Sequence, residues 1–242
     1  PMVRSARMVT VFTVVLLQIA VQAVVAEEPV SGFLTWRGEN QNSETSATQL
    51  PQRAVLEGEG ANLRWTLDMP GRGTPVIGRY SDGDRLFVIG YDGSGPDLLE
   101  TLLCLDPATG EEHWRLGYAD FISDIVYNRY AISAPTIDPA TGHVYFMTSP
   151  GLLISVDKDG QERWRISMME SFGRLTFPNG RTGCVTVEGD LILVNAITSN
   201  WGTTTPARSR FYAFNKDSGE LVWFSTPGVG PPFLKDSSFS TP

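Results

Sequence analysis

The sequence predicts an all-β fold, a β-propeller built of four-stranded antiparallel blades. Three observations predict it. One short pattern (apolar residue, Asp or Asn, polar turn, Gly, Trp) is written as LDPATGEEHW from Leu105 to Trp114, as VDKDGQERW from Val156 to Trp164 and as FNKDSGELVW from Phe214 to Trp223. Trp65, Trp114, Trp164 and Trp223 stand 49, 50 and 59 residues apart, a period of the size that marks stacked or radial repeats. Between the tryptophans lie short runs rich in β-branched and aromatic residues, bounded by Gly, Asp, Asn or Pro, as strands and tight turns require.

Taken in order, the first 26 residues differ in kind from the rest. Arg4 and Arg7 precede a nearly uncharged run from Val9 to Val25, which closes on small residues before Glu27 and Glu28. A basic start, an apolar centre and a small-residue end make a secretory signal peptide, with an uncleaved membrane anchor as the alternative. Residues 27–62 follow as an extended segment. Blades are then expected at about 63–118, 131–168 and 181–227, with the start of another at 236–242.

Each blade repeats the same parts. An opening strand carries GTPVI (Gly73 to Ile77), SAPTI (Ser133 to Ile137) or TGCVTV. Second strands are expected near 85–91, 143–149 and 190–197, and third strands near 100–106, 152–157 and 209–215. The tryptophan strands fall near 112–117, 161–167 and 220–226. The stretch from Ala119 to Tyr130 is the only one whose pattern allows a turn or two of helix.

The repeated motif has a physical explanation. Asp106, Asp157 and Asn215 end a strand, where their side-chain oxygens can accept bonds from turn amides two or three residues on. Gly110, Gly160 and Gly219 supply the positive φ of the turn, which costs a residue with a Cβ about 1 kcal/mol. The chain reverses, and Trp114, Trp164 or Trp223 enters the outermost strand. There a ring lying flat between neighbouring blades buries roughly 150–250 Å². The nine motif residues therefore read as a clamp between blades, with Trp114, Trp164 and Trp223 largely buried except where a neighbouring blade is absent from the chain, and with no catalytic role.

Charge and composition narrow the function. The 19 Lys and Arg face 27 Asp and Glu; without Arg4 and Arg7 the net charge is −10. An acidic chain argues against nucleic acid, where clustered basic residues would meet phosphates. Cys104 and Cys184 both lie in apolar, strand-like runs; they read as small buried thiols, with pairing left open. His113 and His143 have no metal-ligand spacing and read as surface residues. Ser94 lacks the spacing of a hydrolase elbow. The run from Asp157 to Glu162 has its Gly in the wrong place for a calcium loop and reads as a turn. The connection from Gly173 to Gly183, carrying Arg174 and Arg181, is the one irregular stretch that could line the mouth of a channel.

The segment Asp-x-x-Thr-Gly-x-x-x-Trp, from Asp106 to Trp114, resembles the tryptophan-docking repeat of the pyrroloquinoline-quinone (PQQ) propellers. That superfamily includes quinoprotein alcohol dehydrogenases and the propeller lipoprotein of outer-membrane β-barrel assembly. The segments FLTWRGENQN, GRLTFPNGRTG and ARSRFYAFNKDSGELVW are most similar to exported PQQ-like propeller proteins of planctomycete-type bacteria. The resemblance covers nearly all of residues 33–242, and its motif specifies fold more than function.

Two functions follow from the resemblance. One is a periplasmic or secreted binding scaffold without chemistry, whose partner is a protein or a small molecule. The other is a quinoprotein dehydrogenase holding PQQ and Ca²⁺ in the central channel and oxidising an alcohol or sugar. Alcohol-oxidising members carry two adjacent cysteines against the quinone, whereas Cys104 and Cys184 are 80 positions apart. The scaffold is the expectation, with no cofactor. A closed ring needs about four to eight blades. The chain starts at Pro1 and stops at Pro242 after three units, so the expectation is an open arc from a seven- or eight-bladed propeller.

Overall fold

The computed structural model describes residues 28–38, 40–48, 50–119, 130–173, 184–198 and 208–225. The proposed signal peptide, most of the stretch from Ala119 to Tyr130, the irregular connection with Arg174 and Arg181, and the C-terminal STP lie outside these residues.

The described residues form three antiparallel sheets in chain order, an open partial propeller. The first contains β1 (Ser31–Phe33), β2 (Val76–Tyr80), β3 (Gly83–Asp92), β4 (Leu99–Leu105) and β5 (Glu112–Tyr118). The second contains β6 (Thr136–Ile137), β7 (Val144–Met147), β8 (Leu152–Val156) and β9 (Glu162–Ser167). The third contains β10 (Thr186–Glu188), β11 (Leu191–Thr198), β12 (Arg208–Asn215) and β13 (Leu221–Ser225). Within each sheet the strands pair with their sequence neighbours, as a meander of hairpins does.

Most strand runs are apolar at successive positions because both faces of a blade are covered. In β7 all four residues are buried. Val144 and Phe146 pack towards the first sheet with Phe87, Ile89 and Cys104. Tyr145 and Met147 face the third sheet with Ile192, Val194 and Tyr212. A middle blade therefore cannot show the clean apolar–polar alternation of a sheet with one wet face.

Three features depart from the sequence reading. The first sheet has a fifth strand, because Ser31–Phe33 pairs with Ile77–Arg79 on the inner edge of β2. The opening strands are shorter than their apolar runs: in SAPTI only Thr136–Ile137 pairs in the ladder, and in GTPVI pairing starts at Val76. A one-turn helix, α1 (Met168–Phe172), follows β9; the Ser167 hydroxyl caps it by accepting from Glu170 N. A single turn is too short to show a helical period.

Candidate interaction site at the blade boundaries

The repeated residues meet at the boundaries between sheets. Each Asx side chain organises its own turn. Asp106 Oδ1 accepts from the amides of Ala108 and Thr109 at 2.7 and 2.8 Å. Asp157 Oδ1 accepts from Asp159 and Gln161 amides at 3.0 and 2.8 Å, and Asn215 Oδ1 from Asp217 and Ser218 at 3.0 and 2.9 Å. These amide bonds hold the Asp106 carboxyl below its usual range. Gly110, Gly160 and Gly219 then turn at φ of 77°, 83° and 73°.

Trp114 and Trp164 each dock on the repeat glycine of the following sheet. A Cβ on Gly160 would stand 2.9 Å from the Trp114 ring, and one on Gly219 would stand 2.8 Å from the Trp164 ring. Trp65 meets Gly110 in the same way, at 2.6 Å, although it lies in a segment with no strand. The indole N–H completes the seat. Trp65, Trp114 and Trp164 donate to the carbonyls of Pro107, Lys158 and Lys216 at 3.1, 3.0 and 2.9 Å. Each acceptor follows its Asx directly in sequence. The glycines thus meet two demands, a positive φ and a face without a Cβ, and only the first is legible in a single turn.

Trp114 and Trp164 are half-buried rather than largely buried, and Trp65 is half-buried too. Trp223 is 42 % exposed, and Leu221, Val222 and Phe224 beside it are exposed too.

A row of partners across each sheet explains the fit inside a blade. Phe87, Cys104 and Trp114 stand opposite one another on β3, β4 and β5. Tyr145, Ser155 and Trp164 repeat the row in the second sheet, and Leu193, Ala213 and Trp223 in the third. The middle member is small and fully buried in each case, and in the first two rows the outer rings approach to 5.8 and 5.9 Å. Cys104 therefore occupies a place where volume matters. Burial pushes its thiol up to about 12. Both cysteines are thiols; Cys184 Sγ, from the third repeat, accepts from Ala134 N at 3.3 Å.

Ion pairs that were not anticipated cross the boundaries. Lys158 Nζ reaches Asp82 at 2.8 Å, from the second repeat to the first hairpin. Lys216 Nζ reaches Asp138 at 3.0 Å, from the third repeat to the second. The second pair is nearly dry, with side chains 10 % and 3 % exposed. Asp138 also starts its hairpin, accepting from Ala140 N and the Thr141 hydroxyl. The available signal was a lysine directly after the Asx in two repeats.

At the opposite end of the blades sits a buried carboxylate. Glu100, at the start of β4, accepts from Ala131 N at 2.6 Å through Oε1 and from Ser149 N at 2.6 Å through Oε2. The Ser149 hydroxyl also donates to Oε1. Ala131 is held at φ 50° beside it. One acid of the first sheet thereby fixes two loops of the second.

The other candidates fall outside this boundary chemistry. His113 is exposed, as expected of a surface residue. His143 is instead half-buried, and desolvation lowers its pKa. Ser94 precedes a 3-10 turn, Gly95–Asp97. Among the described residues no group of three or more His, Cys, Asp and Glu stands close enough to hold a metal ion. No helix among them is long and apolar enough to cross a membrane.

Comparison with known proteins places this arrangement. The PQQ-repeat family described as outer membrane protein assembly factor BamB matches residues 24–165 and 100–233. Among solved structures, a europium-containing methanol dehydrogenase is 18% identical over 65% of this chain and 25% of its own, with a TM-score of 0.45. Quinohemoprotein alcohol dehydrogenase ADHIIG from Pseudomonas putida HK5 is 19% identical over 72% of this chain and 23% of its own, with a TM-score of 0.43. BamB from Moraxella catarrhalis is 15% identical over 65% of this chain and 44% of its own, with a TM-score of 0.32. The chain thus spans from about a quarter to under half of the length of these structures. No curated protein matches its sequence.

Proposed function

The chain belongs to the PQQ-repeat propeller family described as outer membrane protein assembly factor BamB, and from that premise we propose that it is an exported interaction module without chemistry of its own. The observation that carries this reading is the use made of the buried acids. Glu100 is engaged by two amides and a hydroxyl of the neighbouring sheet. Asp138 is engaged by the Lys216 ammonium, a hydroxyl and an amide.

A quinone with its Ca²⁺ needs several oxygens converging from different strands, usually including an acid. In this reading the acids buried between these sheets serve the packing. What the arrangement does supply is rigidity. Aromatic docking, buried ion pairing and a bonded carboxylate hold the sheets in a fixed relation, so the loops at both ends are presented in one geometry. A rigid scaffold displaying loops suits recognition of a partner.

The test is titration of the protein with PQQ in the presence of Ca²⁺. The interaction reading expects no saturable change in quinone absorbance or fluorescence and no alcohol-dependent dye reduction. Stoichiometric quinone binding with dye reduction would establish a dehydrogenase instead.

A further inference from the structure

The inner edges of the first two sheets leave a slot, and the chain fills it with its own segment. Ser31–Phe33 pairs antiparallel with β2, with Gly32 opposite Gly78. On the other side Val30 N donates to the Pro139 carbonyl at 2.8 Å, and Ile137 N donates to the Leu34 carbonyl at 2.9 Å. One five-residue strap is therefore hydrogen-bonded to two blades.

Its side chains follow a strict pattern. Val30 and Leu34 are buried, while Ser31 and Phe33 point outward and are exposed. The seat for Val30 is cut from residues without a Cβ. A Cβ on Gly78 would stand 3.1 Å from Val30 and 3.0 Å from Ile137, and one on Gly142 would stand 3.3 Å from Val30. Tyr80 closes the seat, its hydroxyl donating to the Gly142 carbonyl at 2.8 Å. Gly32 is at φ 134°, and a Cβ there would collide with the Ile77 carbonyl. The slot thus reads apolar at one end, glycine in the middle and apolar at the other.

The strap joins β2 through a long connection. Between Phe33 and Val76 no strand or helix forms among the described residues. Gly58 and Gly60 turn in open space, and firm anchorage begins again at Trp65. A strand held at both edges by backbone bonds, on a long tether, is exchangeable for another strand of the same pattern.

We propose that the slot between β2 and β6 is a strand-acceptor site, which takes an extended peptide segment of another protein with the pattern apolar-x-Gly-x-apolar, and that residues 30–34 occupy it as a displaceable strap. Backbone bonding from two edges supplies the hold, and the glycine requirement supplies selectivity. This rests on the interaction-module reading by naming its partner class. Quinone binding tests that reading separately, so a failed peptide experiment leaves it standing.

The experiment uses a fluorescent peptide of residues 28–35, EPVSGFLT, and a control peptide with Val in place of Gly32. The full-length chain is compared with its Gly32→Val variant, whose strap cannot seat. The peptide is expected to bind the variant saturably and about 10-fold or more tighter than wild type, since the resident strap competes at high effective concentration. The control peptide is expected to bind neither. A second measurement covers a variant that fails to fold. A protease site is inserted in place of Glu59, the wild-type strap is cut free, and excess labelled peptide is added. Replacement of the cut strap by the peptide supports the proposal. Equal binding of both peptides, no uptake after cleavage, or strap exchange only between two copies of the chain would overturn it.

Discussion

Trp164 donates its indole N–H to the carbonyl of Lys216 at 2.9 Å, and the ammonium of that same lysine holds Asp138 in Trp164's own sheet. One turn residue therefore ties two sheets together twice, through its backbone and through its side chain. The Tyr145 hydroxyl adds a third tie, donating to the same carbonyl at 3.2 Å.

Breaking the side-chain tie should be costly where it is buried and cheap where it is wet. Lys216→Met leaves Asp138 buried without its counter-ion and should lower stability by about 3 kcal/mol in urea unfolding. Lys158→Met removes the more exposed pair to Asp82 and should cost under about 1 kcal/mol. The hydrogen bond from Lys158 holds the Asp82 carboxyl below its usual range, and the same bond raises the lysine. The depressed acid contributes stability above its unfolded value of about 4, lost as pH falls through the folded one. The raised lysine contributes below about pH 10, lost as pH rises further. The difference between wild type and Lys158→Met should therefore be largest between about pH 4 and 10 and should shrink in salt. Equal losses for the two lysines would contradict the assignment.

Gly160→Ala tests the seat itself. The substitution adds a Cβ 2.9 Å from the Trp114 ring at a backbone φ of 83°. Strain and overpacking together should cost about 2–4 kcal/mol. Gly189, at φ 58° with open space above it, carries only the backbone part, and Gly189→Ala should cost about 1 kcal/mol. Comparable values at the two glycines would mean that no ring lies over Gly160.

Much of the fold was legible, and the limits have physical causes. The strands β3, β4, β8 and β12 were readable because their apolar runs end in Asp or Asn, which favour reversals. The strap was not, since Ser-Gly-Phe has little strand propensity and depends on two foreign edges. Trp65 showed its period but not its setting, because it docks without a strand of its own. Glu100 sits in the run DLLETLLCLD, where a lone acid reads as a wet position; its burial arises from loops about 30 and 50 residues later.

Glu100→Ala should be among the most damaging polar substitutions. It strips the acceptor from Ala131 N and from the amide and hydroxyl of Ser149, with an expected loss of about 3 kcal/mol. Glu100→Gln keeps part of the acceptor set and should lose less. Hydrogen exchange at the Ala131 and Ser149 amides should rise in the alanine variant without a change in the distant Asx turns. Unchanged protection at both amides would refute the clamp.

Cys104 should behave as a spacer rather than a reactive group. Its thiol, pushed up to about 12 by burial, should resist alkylation at pH 8 in the folded protein and react on unfolding. Cys104→Ala, matching Ala213 in the third row, should cost less than about 1.5 kcal/mol, whereas Cys104→Leu should cost more through the clash with Phe87 and Trp114. Rapid labelling of native Cys104 would show that the row is open.

The most direct test of inter-sheet docking is the stability of Trp114→Ala, Trp164→Ala and Trp223→Ala measured side by side in urea. Trp114 and Trp164 seat on the glycine of a following sheet, and each substitution should cost about 3–5 kcal/mol. Trp223 stands exposed on β13, and its loss should cost under about 1 kcal/mol. Equal losses at all three positions, or a loss below about 1 kcal/mol at Trp114, would contradict the claim that the repeated tryptophan holds one sheet to the next.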